Sequence, residues 1–239
     1  MFGYRGRIGF ITPAGDSGGV SEYLTLLPDG VVVIITTCAV SRLVHEDAEK
    51  AFSMYPAAAE HLASQECDVI FAPGSLVFSH MGYEPAQDMI QKIRETIGIP
   101  VITDLDAHFD ALRSLSAKRI VIATPYPEAR TEERKKLCES VGFEVLNTKS
   151  LGLERRVDIQ QQPPYASYRL AKQAFFEAPE ADAIYISCPE WPIIDNIEKL
   201  EQDTGKPVVS HVTADVWALL RILHIKEPVK GYGRLLELM

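Results

Sequence analysis

Short apolar runs alternate along the chain with longer stretches whose apolar residues recur at helical spacing. The runs predict buried strands at 7–11, 31–36, 69–72, 100–103, 119–123, 144–147, 183–186 and 207–210. The helical spacing predicts helices at 45–63, 87–97, 107–115, 131–141 and 169–176, and the polar, proline-containing stretch 157–168 predicts a loop. Strands that alternate with helices indicate parallel sheets flanked by helices.

Three short motifs occur twice, in the same order. The matching pairs are Ile8-Gly-Phe-Ile-Thr12-Pro13 with Ile120-Val-Ile-Ala-Thr124-Pro125, Asp68–Ser75 with Asp182–Pro189, and Gly98–Thr103 with Gly205–Ser210. The alternative is that all doubly wound α/β units share such a rhythm. We predict an α/β fold of two pseudo-twofold-related four-stranded parallel-sheet domains with the active site between them. The first repeat would be 1–103 plus 211–239, and the second 104–210.

Composition and charge restrict the class of protein. The 239 residues are 46% hydrophobic with a formal net charge of −9, and no basic run or basic–aromatic pattern predicts nucleic acid as a partner. No apolar run is long enough for a membrane span, and the N-terminus does not resemble a signal peptide. The four cysteines are scattered without metal spacing, and P-loop and GxGxxG motifs are absent. We expect a cytoplasmic protein with free thiols and no bound nucleotide.

Cys188 lies where the apolar run 183–186 ends. Ligands of open α/β sheets bind at the carboxyl ends of strands, although a core also accepts a buried thiol. The repeat aligns Cys188 with Gly74, so the matching position of the first copy lacks a thiol. Two acids on opposite faces of a carbon would invert it, whereas one thiol delivers a proton from one face or, as a thiolate, acts as a nucleophile.

Three histidines follow predicted strands and are candidates for a general base or an anion ligand, with surface or core positions as the alternative. They are His80, His108 and His211, of which His211 directly follows its strand. Asp104 and Asp106 occupy the matching place in the first copy and suggest a polar cleft edge or helix capping.

The other three thiols are predicted to be structural. Cys67 precedes a strand and Cys138 lies on a predicted helix, so neither is near a carboxyl end. Cys38 ends the second strand, where it reaches either the cleft or the core, and the core is the preferred interpretation.

These motifs resemble the aspartate/glutamate racemase superfamily, and most closely its arylmalonate decarboxylase and maleate isomerase branch. The resemblance covers nearly the whole chain and rests on Ile8–Pro13, Gly74-Ser75, Val121–Tyr126, Ile186–Cys188, Gly205–Ser210 and Gly231–Leu235. Racemases and maleate isomerases of this superfamily carry cysteines at both pseudo-symmetric positions. Arylmalonate decarboxylases resemble this chain in having glycine at the first position and cysteine at the second.

The resemblance implies a carbon–carbon lyase that decarboxylates a small malonate-type carboxylate without a metal or organic cofactor. Cys188 would protonate the enediolate. Tyr126 would donate its hydroxyl to a carboxylate, and Gly74 and Ser75 would supply backbone N–H groups and a hydroxyl.

The first β-strand turn and the C-terminal tail would complete such a site. Thr12 and Pro13 would line it from the first copy. Gly231 and Gly233 would let the backbone of the tail approach closely.

The chain departs from the decarboxylase pattern next to these residues. Leu76 replaces a hydroxyl residue, and Pro189 and Glu190 replace glycines, although both still line the predicted substrate site. Proline has no N–H to donate, and an inward Glu190 would raise the pKa of the thiol and repel an anionic substrate.

The departures leave two other functions open. One is an isomerase like the maleate isomerases, with Cys188 as nucleophile and Glu190 or a histidine as second acid. The other is a catalytically silent protein that binds carboxylates. In each case the expected partner is a small mono- or dicarboxylate, and a homo-oligomer stays open.

Overall fold

The structure is a computed structural model that describes residues 1–13, 18–38, 45–74 and 83–239, with all their side chains except those at 18, 45–48 and 83. The strands in these ranges are β1 (Gly6–Thr12), β2 (Val31–Thr37), β3 (Val69–Phe71), β4 (Val101–Ile102), β5 (Arg119–Thr124), β6 (Glu144–Ser150), β7 (Ala183–Ile186) and β8 (Val208–Ser210). The helices are α1 (Gly18–Leu26), α2 (His45–Ser64), α3 (Tyr83–Ile97), α4 (Asp104–Ser114), α5 (Glu128–Ser140), α6 (Arg156–Gln160), α7 (Pro164–Phe176), a 3-10 turn (Ile194–Asn196), α8 (Ile197–Thr204), α9 (His211–Ile222) and α10 (Arg234–Glu237).

The strands of the described ranges form two all-parallel sheets of four strands each. Their orders are β2-β1-β3-β4 and β6-β5-β7-β8, so each strand of the second sheet takes the place of its counterpart in the first. The predicted fold class, α/β with two four-stranded parallel sheets, is confirmed.

The first sheet is covered by two amphipathic helices. Helix α2 packs on β1, β2 and β3 and against α3. Parallel strands are buried on both faces, which explains why β3 reads as a continuous apolar run. The buried side chains of this cluster include Ile11, Tyr55, Leu62, Ile70, Ile90 and Val101.

The second sheet is covered mainly by α7, which packs on β5, β6 and β7. The buried stripe of α7 is Ser167, Ala171, Ala174 and Phe175, at helical spacing. Small alanines let the helix lie close to the sheet, where β5 and β7 present fully buried side chains. The two central strands, β5 and β7, are therefore held by the packing of α7 as well as by the hydrogen bonds between the strands.

The same aspartate begins the third strand of each copy. Asp182 accepts the backbone N–H groups of Lys118 and Arg119 at 3.1 and 2.8 Å and the Arg119 guanidinium at 3.0 Å. Asp68 accepts the backbone N–H of Arg7 at 2.8 Å. Both aspartates thus tie the start of the central strand to its neighbour, which explains why the repeat retains this residue.

Helices α4 and α9 are capped by hydroxyl residues at matching repeat positions. Thr103 Oγ1 accepts the N–H of Asp106 at 3.1 Å, and Ser210 Oγ accepts that of Thr213 at 3.2 Å. Thr103 thus occupies the capping position that was predicted for Asp104 or Asp106, while Asp104 Oδ1 accepts the N–H of Leu105 at 2.9 Å in the same first turn. Asp106 instead approaches Arg94 at 3.7 Å.

The stretch 157–168, predicted to be a loop, contains most of α6 and the first turn of α7. Pro163 precedes α7 in an extended conformation and Pro164 is its first residue. Proline suits this position because its missing N–H would have no partner in the first turn of a helix. Helix α5 likewise begins before the predicted Thr131, whose hydroxyl bonds that of Thr124 at 2.6 Å.

The chain divides into two compact units, each made of three segments. The first unit is 1–16, 27–107 and 219–226, and the second is 17–26, 108–218 and 227–239. The repeat boundaries given above, 103/104 and 210/211, concern the two sequence copies and stay a prediction. No helix in the described part of the chain is both long enough and apolar enough to cross a membrane.

Candidate active site

Cys188 and Tyr126 follow neighbouring strands of the second sheet. Strands β7 and β5 pair in parallel, and the N–H of Ser187 donates to the Ala123 carbonyl at 3.1 Å, just beyond the end of β7. Parallel strands end at the same edge of a sheet, so the residues that follow them lie close together. Cys188 is 1% exposed, and its thiol shares a hydrogen bond with the Tyr126 side chain.

The surroundings of the Cys188 thiol change its pKa in opposite directions. Burial is the largest and raises its pKa to about 12, and the Glu190 charge acts in the same direction. The Tyr126 hydroxyl and the backbone N–H groups of Glu190 and Trp191 bond the sulfur and lower the pKa. The resting group is therefore a thiol, surrounded by three donors that would stabilise a thiolate.

Tyr126 is held in place and kept protonated. Burial, followed by the neighbouring Cys188, raises its pKa well above 10. The Ser150 hydroxyl donates to its carbonyl at 2.5 Å, and the N–H of Gly152 donates to the same carbonyl at 3.2 Å. The Arg130 guanidinium lies 5.8 Å from its ring centre. Tyr126 is thus a neutral phenol whose hydroxyl donates to the Cys188 sulfur.

Glu190, two residues after the thiol, pairs with Arg156. The Nε and Nη2 atoms of Arg156 both donate to Glu190 Oε1, the first at 2.7 Å, and both side chains are partly buried. The expected effect of Glu190 on the thiol pKa is present, while Arg156 compensates its charge. No sequence pattern indicated Arg156, because it lies 34 positions from Glu190, directly before the stretch predicted to be a loop.

The segment after Cys188 is anchored by Glu22 of α1. Glu22 Oε1 accepts the N–H groups of Ile193 and Ile194 at 2.9 and 3.3 Å. Burial raises the pKa of Glu22 to about 7, against the lowering effect of the two N–H groups. Trp191 is completely buried. Pro189 is half-buried.

The matching residues of the first copy belong to the first unit. Gly74 is buried three residues after β3, and the Tyr55 hydroxyl donates to the neighbouring Pro73 carbonyl at 2.5 Å. Thr12 ends β1, and its carbonyl accepts the N–H of Cys38 at 2.9 Å.

The remaining predicted site residues lie near β1, in the C-terminal tail or outside the described residues. Pro13 is half-buried directly after β1, whereas Ser75, Leu76 and His80 are not among the described residues. Gly233 has a φ of +91°, and a Cβ there would lie 2.6 Å from Ile197 of α8. The tail glycine is therefore required for packing on α8.

Cys38, Cys67 and Cys138 are all buried. Burial raises the pKa of Cys38 to about 11 and that of Cys138 to about 12. His108 and His211 are also buried, and they contact each other, with ring centres 4.3 Å apart. Of the described candidates, the structure therefore brings Cys188, Tyr126 and Glu190 together and places the two histidines in a cluster of their own.

Comparisons with known proteins identify the family of the chain. The profile of the arylmalonate decarboxylase family matches residues 8–236. A maleate isomerase of Geobacillus stearothermophilus is 25% identical over 97% of each chain, and an arylmalonate decarboxylase of Bordetella bronchiseptica is 27% identical over 75% of each chain. The solved structure of the maleate isomerase Iso from Pseudomonas putida S16 is similar with a TM-score of 0.89 at 23% identity, over 97% of this chain and 98% of that one. The resemblance inferred from the motifs is confirmed, and the chain belongs to the arylmalonate decarboxylase family.

Proposed function

We propose that the protein is a cofactor-independent decarboxylase of a small malonate-type carboxylate, in which Cys188 protonates the enediolate. The observation that carries this proposal is the state of the Cys188 sulfur. It is a buried thiol with a pKa of about 12, and three donors bond it. A proton donor must hold its proton at rest and be stabilised after releasing it, and this environment meets both requirements.

The proposed reaction breaks one carbon–carbon bond and forms one carbon–hydrogen bond. The bond between the α-carbon and one carboxylate breaks, CO2 leaves, and the electron pair stays as an enediolate. Cys188 then gives its proton to the α-carbon. The resulting thiolate is held by Tyr126 and by the N–H groups of Glu190 and Trp191 until it takes a proton from water.

The absence of a second thiol at the matching position supports one-sided proton delivery. The first copy has Gly74 where the second has Cys188. A single donor protonates one face of the enediolate, so the product of a prochiral malonate should be a single enantiomer.

Turnover of disubstituted malonates in deuterated water tests the proposal. We expect release of CO2, one deuterium at the α-carbon and one enantiomer. Cys188→Ala should lower turnover at least about a thousandfold, because it removes the only proposed donor. Cys138→Ala truncates another buried thiol, on α5, and should keep turnover. Exchange of the α-hydrogen of a monocarboxylate without decarboxylation of any malonate would contradict the decarboxylase and retain the proton transfer.

Isomerisation of a small dicarboxylate is the second candidate, favoured by the relatives that are named maleate isomerases. It would need Cys188 as a nucleophile, and the high pKa of the thiol disfavours a resting thiolate. Conversion of maleate to fumarate, with a cysteine adduct of the mass of maleate on Cys188, would support it. Tight binding of carboxylates without turnover of any would support a silent binding protein.

A further inference from the structure

Three metal-ligating side chains meet inside the second unit, in a cluster that the proposed function does not use. His108 lies on α4, and His211 and Asp215 lie one turn apart on α9. They are 0%, 2% and 0% exposed, and their ligand atoms all lie within 4.8 Å of one another. Residues four positions apart point to the same side of a helix, so α9 presents two ligands together.

Both imidazoles turn the same ring nitrogen to the carboxylate. His108 Nε2 is 3.2 Å from Asp215 Oδ1, and His211 Nε2 is 3.5 Å from Oδ2. Zinc holds nitrogen and oxygen ligands at about 2.0–2.1 Å, which puts two tetrahedral ligands about 3.3–3.4 Å apart. The observed separations are close to that value.

Hydroxyl groups orient these ligands from outside. His108 Nδ1 shares a hydrogen bond of 2.7 Å with the Tyr185 hydroxyl, and the Tyr23 hydroxyl donates to Asp215 Oδ2 at 2.5 Å. A ligating histidine commonly uses its other ring nitrogen in this way, and ligating carboxylates are hydrogen-bonded in turn.

We propose that His108, His211 and Asp215 form a binding site for a single Zn²⁺-type cation that links α4 to α9. Two imidazole nitrogens and one carboxylate suit zinc or cobalt, and they do not suit magnesium or calcium, which take oxygen ligands. The second carboxylate oxygen of Asp215 or water would fill the remaining coordination positions of the metal. The metal would be structural and separate from the thiol chemistry proposed above.

Metal content of the full-length protein tests this site. The chain is produced in medium with added zinc, passed through a chelating resin and analysed by mass spectrometry for metals. We expect about one zinc per chain, and at least about a tenfold loss in His211→Asn and Asp215→Asn. His61→Asn, which changes an exposed histidine on α2, is the matched control and should retain the metal.

Cobalt-grown wild-type protein gives a test that does not depend on the folding of a variant. We expect the visible absorption of four- or five-coordinate cobalt without the near-ultraviolet sulfur-to-cobalt band, because no cysteine belongs to the cluster. Wild-type protein that contains neither zinc nor cobalt would overturn the proposal and leave a hydrogen-bonded His–Asp network. A sulfur-to-cobalt band, or full zinc content in the folded His211→Asn protein, would overturn it as well.

Discussion

One of the three donors to the Cys188 sulfur is a side chain and can be removed by substitution. Tyr126→Phe removes the hydroxyl that lowers the thiol pKa, so the pKa of Cys188 should rise further. Turnover should fall by about tenfold to a hundredfold, because the thiolate formed on proton transfer loses one donor. Steady-state rates on the malonate substrate measure the loss. Tyr165→Phe, an exposed tyrosine of α7, should change nothing, and equal losses in both variants would count against the role of Tyr126.

Glu190 acts on the same thiol in the opposite direction. Glu190→Gln removes a charge that raises the pKa of Cys188 and leaves Arg156 with a neutral partner, so the pKa should fall. The rate of alkylation of Cys188 as a function of pH, followed by mass spectrometry, measures this shift. A profile that stays at the wild-type position, or moves to higher pH, would show that Glu190 does not control the thiol.

At the level of single residues, the sequence patterns predicted the site residues that follow strands. They missed the residues that hold those site residues in place. Cys188 was found because an apolar run ends at it, and Tyr126 because it belongs to a motif of the family. Glu22 supports the same segment from 171 positions away. Such a pair is formed only by the tertiary fold, and neither periodicity nor a local motif indicates it.

Among the secondary-structure elements, the aspartate before β7 gives the clearest prediction. Asp182→Asn keeps the shape but loses the charge that three N–H groups bond, and should lower the free energy of unfolding by roughly 1–2 kcal/mol at pH 7. Urea unfolding measures the loss. Asp110→Asn, at an exposed ion pair of α4, should cost little.

The pH dependence of the Asp182 effect has a definite sign. Its hydrogen bonds to Arg119 are the main reason that the pKa of Asp182 falls from 3.8 to about 2. The stabilisation is therefore complete above about pH 4 and is lost as the pH falls through 2. A difference between Asp182→Asn and wild type that persists unchanged at pH 2 would contradict this account.

The strands were easier to predict than the helix starts. β7 has the predicted bounds because four buried side chains make it apolar throughout. α1 is only nine residues long, which makes its periodic pattern a weak signal, and α7 begins with prolines that usually indicate a loop. In both helices, packing against the rest of the unit overrides the local pattern.

For the molecule as a whole, Glu22 should make stability depend on pH near neutrality. Burial raises its pKa from 4.5 to about 7, so the folded state binds the proton more strongly than the unfolded state. Stability should then fall as the pH rises from 4.5 to 7, by about 3 kcal/mol at most. Glu22→Gln should remove that part of the pH dependence.

Chemical unfolding of wild type and Glu22→Gln at pH 5 and pH 8 measures the effect. The variant should gain stability relative to wild type only at pH 8, because glutamine resembles the protonated acid. Glu132→Gln, at an exposed position of α5, serves as the control for the loss of a carboxylate. Parallel stability curves for wild type and Glu22→Gln would show that another group titrates.

The two sheets themselves were predictable, since each strand of the first copy has a counterpart in the second. The unit to which α1 belongs was not predictable, because its long-range contacts decide it. Residues 17–26 lie in sequence between β1 and β2 of the first sheet, yet they belong to the second unit.

This placement of α1 has a consequence for synthesis and for dissection of the chain. Glu22 is translated long before Ile193 and Ile194, whose N–H groups it accepts. The second repeat, 104–210, therefore cannot complete the segment after Cys188 from its own stretch of sequence, and a fragment cut at the repeat boundaries would lack the acceptor. Each half of the duplicated sequence has its own sheet, but the half that carries the thiol needs a helix encoded in the other.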